Sequence, residues 1–156
     1  MTPHQIQLVK TSFASVEPIA DVAATIFYRR LFDLDPALRA LFPSDLTAQR
    51  RNLMQTLTVV VRNLDRIEGI LPAVESLGAR HAGYRVRSDD YETVGAALLD
   101  TLEEGLGEAF TPDVRAAWAA AYGLLASVMI RAGEAAAHGS AAAAAEAEPA
   151  TAEAAA

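Results

Sequence analysis

Apolar residues recur at helical spacing along most of this chain, and prolines and small polar residues divide the pattern into segments. Thr2 followed by Pro3 offers an N-cap with proline at the first helical position, and Ile6, Leu8, Val9, Phe13 and Val16 keep a helical face as far as Pro18. A second helix is predicted from about Pro18 to Asp33 with Val22, Ile26, Leu31 and Phe32 inward, then a short helix from the Asp35-Pro36 cap to Phe42-Pro43. Longer segments follow over about Leu46 to Arg66, over the stretch around His81, from Ser88-Asp89-Asp90 to Gly105-Leu106-Gly107, and from Thr111-Pro112-Asp113 onward. The last of these carries Val114, Trp118, Tyr122, Leu125 and Met129. The run Thr58-Val59-Val60-Val61 is too short for a strand and lies inside a helical pattern, so the expected class is all-α.

Three polar side chains interrupt stripes that are otherwise apolar. Ile70, Val74, Leu77 and His81 are spaced four, three and four apart, which puts an imidazole on the buried face of a helix near its end. Such a group is either a core histidine bonded to a backbone carbonyl or an axial ligand to a metal. With no Cys in the chain and no neighbouring cluster of ligands, zinc is disfavoured. Gln49 heads a stripe continued by Leu53, Leu57, Val60 and Leu64, and Tyr28 sits among Ala24, Leu31 and Phe32. A buried amide needs a partner, and a buried phenol commonly finds a carbonyl. If the three stripes face one space, it is an apolar pocket with an imidazole on one side and two hydrogen-bonding groups on the other.

The chain's 156 residues are expected to form one domain with a real core. No uninterrupted apolar run approaches the eighteen or so residues that a membrane span needs, and the start has no basic segment followed by an apolar one, so a soluble, cytoplasmic protein is expected. A net charge of −7 disfavours nucleic acid and anionic membranes as partners. Zero cysteines exclude disulfides, thiolate metal sites and thiol catalysis. From about residue 134 the composition collapses to Ala, Glu, Gly, Ser, Pro and Thr with a single His138, so the expected division is a folded domain over 1–133 and a disordered tail over 134–156.

Taken in order, Phe27-Tyr28-Arg29-Arg30-Leu31-Phe32, Pro36 to Phe42, Gln49 with Leu53, Leu77-Gly78-Ala79-Arg80-His81, Tyr84-Arg85-Val86, Tyr91 to Leu99 and Ala117 to Gly123 resemble a bacterial single-domain globin. The likeness, over about residues 3 to 132, is to the haem domain of flavohaemoglobins and to the neuroglobin-like globins of methanotrophs. It implies a globin fold around haem b, with His81 as the proximal iron ligand and Phe42 packed on the haem face. Tyr28 and Gln49 would form the distal pair, with no distal histidine. Leu53 and Val86 would be apolar walls, and Val94 and Leu98 would line the haem from the helix that opens at Ser88. Arg85 and Arg87 are candidates for the haem propionates or ordinary solvated charges.

The resemblance further implies dioxygen, carbon monoxide and nitric oxide as ligands, retained by donation from Tyr28 and Gln49, in a monomer or homodimer that stores, scavenges or senses oxygen. The alternative it carries is a nitric oxide dioxygenase served by a separate reductase, since no glycine-rich dinucleotide fingerprint is present here. A haem-free helical interaction module is a third reading. The enzymatic relatives also polarise the proximal histidine with a Tyr and a Glu. Tyr91 matches the Tyr, whereas the Glu position reads as Ala135 with Glu134 beside it, which implies a weaker push of electron density onto iron.

Overall fold

The computed structural model describes residues 1–143 and is all-α over them. Six helices form: α1 (Pro3–Val16), α2 (Ala20–Leu34), α3 (Thr47–Arg62), α4 (Leu71–Gly83), α5 (Ser88–Leu106) and α6 (Pro112–Ala143). Short 3₁₀ segments at Glu17–Ile19, Pro36–Leu41, Leu64–Gly69 and Gly107–Ala109 join several of them. The expected short helix after Asp35 is thus a 3₁₀ segment. Its start is set by the Asp35 carboxylate, which accepts from the Ala37 amide at 3.1 Å.

Thr2 starts α1 as its composition predicts. Its hydroxyl accepts from the Gln5 amide at 3.1 Å while the Gln5 side chain accepts from the Thr2 amide at 3.0 Å, satisfying two orphan donors reciprocally. Pro18 then ends α1, and the face carrying Val9, Phe13 and Val16 packs inward, with Phe13 6.1 Å from the Trp118 ring of α6. Trp118 donates its indole proton to Ser12 at 2.8 Å, and Ser12 donates to the Leu8 carbonyl at 2.7 Å, so no polar atom of that contact is left bare.

The inward face of α2 is Ala23, Ala24, Phe27, Tyr28 and Leu31. Val22, expected inward, is instead 56% exposed. One residue along a helix is about 100° of rotation, so a face centred on Ala23, Phe27 and Leu31 leaves Val22 at its outer edge.

The broadest helix contact is α4 against α6, whereas α3 and α4 barely touch. A crossing so close demands glycine. A Cβ on Gly78 would meet the Met129 backbone, 2.8 Å from its carbonyl carbon and closer still to its oxygen, and one on Gly133 would lie 3.2 Å from the Ala82 Cβ. Since the obstructing atoms at Gly78 belong to a helix backbone, only a shift of α4 can relieve them. Gly78→Ala is therefore expected to destabilise the protein by about 2 kcal/mol, despite alanine's better helix propensity, as read in urea unfolding. A neutral or stabilising result would mean that α4 is free to slide on α6.

The last helix continues through Ala143, past the boundary expected at 134. Alanine is the strongest helix former, and the Ala-rich stretch simply propagates a helix already nucleated by core packing. Residues 144–156 of the expected tail lie outside the described residues. By length and composition alone α6 would also pass for a membrane span, although no uninterrupted apolar run marks it; here it carries Val114, Ala117, Trp118 and Ala121 of the core.

Candidate functional site

The gap between α3 and α4 opens a cavity of about 440 Å³. Tyr28, Phe42, Gln49, Leu53, His81, Val86, Val94 and Leu98 all line it, so the separate stripes of the sequence do converge on one space. A volume in the range of small-molecule sites, with mostly apolar walls and a few polar groups, suits an apolar ligand held at a few polar points.

His81 stands on the last turn of α4. Its Nδ1 donates to the Leu77 carbonyl at 2.8 Å, which fixes the tautomer and leaves Nε2 as an acceptor. Burial holds the imidazole pKa below its ordinary value, partly opposed by the bond to Leu77 and reinforced by nearby Arg80, so the ring is neutral and basic enough to ligate a metal. It bonds a backbone carbonyl through one nitrogen, as a core histidine does, and that bond leaves the lone pair of the other available. Among the described residues no group of three His, Cys, Asp or Glu gathers.

The chain leaves α4 through a left-handed turn that seats Val86 beside His81. Tyr84 donates to the Arg80 and His81 carbonyls, Arg85 to Ala82 at 3.2 Å and Val86 to His81 at 3.2 Å, a paired closure that satisfies the terminal carbonyls. Arg85 takes φ 69° where glycine is usual, at a cost of about 1 kcal/mol. Its side chain is exposed, and Arg87 is engaged with Asp90, donating its amide to that carboxylate at 2.9 Å with the guanidinium 3.5 Å away. Asp90 is 4% exposed and lines the cavity. By sequence pattern alone Asp90 is an ordinary first-turn acid of α5.

On the opposite side, Tyr28 is 5% exposed and packed among rings: Phe27 edge-on at 5.0 Å, Phe42 edge-on at 5.6 Å and Phe32 tilted at 6.0 Å. Its hydroxyl donates to the backbone carbonyl of Gln49 at 3.5 Å, the weak limit of a hydrogen bond. Burial pushes the phenol pKa up to about 12, with the Gln49 side chain and then Arg50 pulling slightly the other way. The hydroxyl therefore keeps its proton across the physiological range and is barely committed to a partner. Gln49 enters from the first turn of α3, which places its amide on the same side of the cavity.

The proximal side differs from the arrangement expected around position 135. Tyr91 lines the cavity and its backbone carbonyl accepts from the Tyr122 hydroxyl at 2.6 Å, but Glu134 and Ala135 are both exposed. The α6 positions that meet α4 are Met129 and Gly133, four apart on one face. A carboxylate at 135 would point to solvent, and glycine at 133 brings no side chain toward His81.

Comparison with known proteins agrees with this geometry. The globin profile matches residues 25–129. Flavohemoproteins of Vibrio cholerae and Bordetella parapertussis are 30% and 32% identical over 83% of this chain, and that of Bacillus subtilis 29% over 80%. This chain spans about a third of their length, the shares being 34%, 33% and 32%. The solved bacterial globin of Campylobacter jejuni, 23% identical, superposes with a TM-score of 0.77 over 86% of this chain and 97% of its own. An engineered carbene transferase from Rhodothermus marinus, provisionally assigned as a nitric oxide dioxygenase, is 25% identical with a TM-score of 0.82 over 90% of this chain and 99% of its own.

Such relatives imply a haem cofactor, and the residues present fit one: a roomy apolar cavity and one neutral imidazole with a free nitrogen. Profile, fold and cavity agree that this chain belongs to the globin family.

Proposed function

We propose that this globin binds haem b through His81 and reversibly holds dioxygen, or another diatomic gas, beside Tyr28 and Gln49, for oxygen storage, scavenging or sensing. The observation that carries the reading is the convergence of these three side chains on one apolar cavity, with the imidazole neutral and the phenol protonated. Haem bound there supplies an iron with a coordination position for the gas. The protein's own contribution is to orient and to exclude. The Leu77 carbonyl holds the imidazole in one tautomer, Phe42, Leu53, Val94 and Leu98 keep water out, and Tyr28 presents a proton at Oη to a ligand that gathers negative charge. The absorption spectrum of the reduced protein with and without carbon monoxide tests this directly. A Soret band that moves on adding carbon monoxide is expected, and a purified protein that takes up no haem overturns the reading.

The similarity to flavohemoproteins and to the Rhodothermus protein favours a second reading, nitric oxide dioxygenase activity with electrons from a separate reductase. Against it stands the proximal side, where His81 bonds a backbone carbonyl and Gly133 supplies no carboxylate. Sustained consumption of nitric oxide by the oxygenated protein with a flavin reductase would place catalysis ahead of storage, whereas a single stoichiometric turnover keeps binding first.

A further inference from the structure

We propose that Arg39 is a positioning residue for the distal side: it clamps the turn that carries Phe42 and, through Phe42 and Phe32, sets where the Tyr28 hydroxyl sits. The proposal rests on the gas-binding reading above. Between the 3₁₀ segment and α3 the backbone runs irregularly from Phe42 to Leu46, and Pro43 has no amide proton to offer. Three successive carbonyls there receive the guanidinium of Arg39: its Nη1 donates to Phe42 at 3.2 Å and to Pro43 at 2.8 Å, and its Nη2 to Ser44 at 3.1 Å. No backbone amide among the described residues bonds these carbonyls. The fork is their partner, and its planar donors fix the turn in a way a single ammonium cannot.

The same guanidinium lies over the Phe32 ring, 5.2 Å from its centroid. Phe32 and Phe42 meet edge to face at 5.6 Å, and both pack on Tyr28. Arg39 therefore holds the backbone of one flanking ring and the face of the other. The amide of Phe42 donates back to the Arg39 carbonyl at 3.2 Å, closing the turn from its other side. Among the described residues the Tyr28 hydroxyl has a weak 3.5 Å bond to the Gln49 carbonyl with the Gln49 side chain nearby, so the surrounding rings, rather than a strong hydrogen bond, hold its position. Loosening the turn should spread that position, and a donor a few tenths of an ångström out of line donates less well.

The test compares Arg39→Met, which keeps an apolar stem over Phe32 but removes every donor, with the gentler Arg39→Lys. In haem-free protein, hydrogen exchange of the Phe42 amide should quicken by about tenfold in Arg39→Met and by less in Arg39→Lys. In haem-loaded protein, dioxygen release should quicken about three- to tenfold in Arg39→Met, carbon monoxide release should change less, and the bound carbonyl stretch should broaden toward higher frequency. In a Tyr28→Phe background the same Arg39→Met change should alter dioxygen release by less than about twofold, because no hydroxyl remains to be positioned. Unchanged Phe42 exchange, or an Arg39 effect that persists in full without the Tyr28 hydroxyl, overturns the proposal. A Tyr28→Phe protein that releases dioxygen at the wild-type rate overturns the distal reading and this proposal with it; a normal Tyr28 effect with none from Arg39 overturns this proposal alone.

Discussion

His81→Ala is expected to leave a helical protein that no longer retains haem. His81 is the only imidazole on the cavity, since His4 is exposed at the start of α1 and His138 is exposed far along α6. Removing a residue that only hydrogen-bonds a metal ligand commonly costs about 10- to 100-fold in affinity, so loss of the ligand itself should speed haem transfer to an apoglobin acceptor by more than about 100-fold. The fold should survive the change. Alanine is the better helix former, and the ring it replaces lines the cavity and is not part of the close-packed core, so haem-free stability should move by less than about 2 kcal/mol in urea. Imidazole added to the mutant should restore part of the wild-type spectrum, because the space for the ring remains. Full haem occupancy with an unchanged ferrous spectrum would remove His81 from its role.

Tyr28→Phe is expected to raise the dioxygen dissociation rate at least about tenfold while carbon monoxide dissociation changes much less. A hydrogen bond to a ligand that gathers charge contributes about 1.5–3 kcal/mol, and most of that appears in release. The substitution is clean because the ring stays: its edge contacts to Phe27 and Phe42 do not involve the hydroxyl, and the lost bond to the Gln49 carbonyl is a 3.5 Å contact. Haem-free stability should hold or rise slightly, since a buried and poorly bonded polar group is removed. The wild-type release rate should also be flat between about pH 6.5 and 9.5, because a phenol pushed up to about 12 does not lose its proton there. Equal acceleration for both gases would show that Tyr28 acts by bulk. Gln49→Leu should act in the same direction more weakly; a larger effect would make Gln49 the main donor.

Much of this site could be read from periodicity because each polar group interrupts the stripe of a single helix. Ile70, Val74, Leu77 and His81 share a face by the 3.6-residue repeat alone, and so do Gln49, Leu53 and Leu57. Caps were legible for the same reason: the Thr2–Gln5 exchange and the Asp35 bond to Ala37 involve residues two or three apart. Leu53, Val86, Val94 and Leu98 were expected from family likeness and not from spacing; all four line the cavity.

What local spacing could not supply was how one helix sits on another. Position 135 was expected to approach His81, but the face of α6 that meets α4 is set by the Gly78 and Gly133 crossing, two residues away and about 200° around the helix. Val22 fell on the wrong side of α2 for a related reason: on a small-residue face, Ala23 and Ala24 allow close packing that bulk alone would assign to valine. The Arg39 clamp joins a side chain to three carbonyls of an irregular turn, and such a bond carries no period at all. Periodicity is a property of one helix and its nearest neighbours along the chain. Crossing angles, close approaches and carbonyl partners depend on two surfaces fitted together, and so they emerge only when the helices are packed.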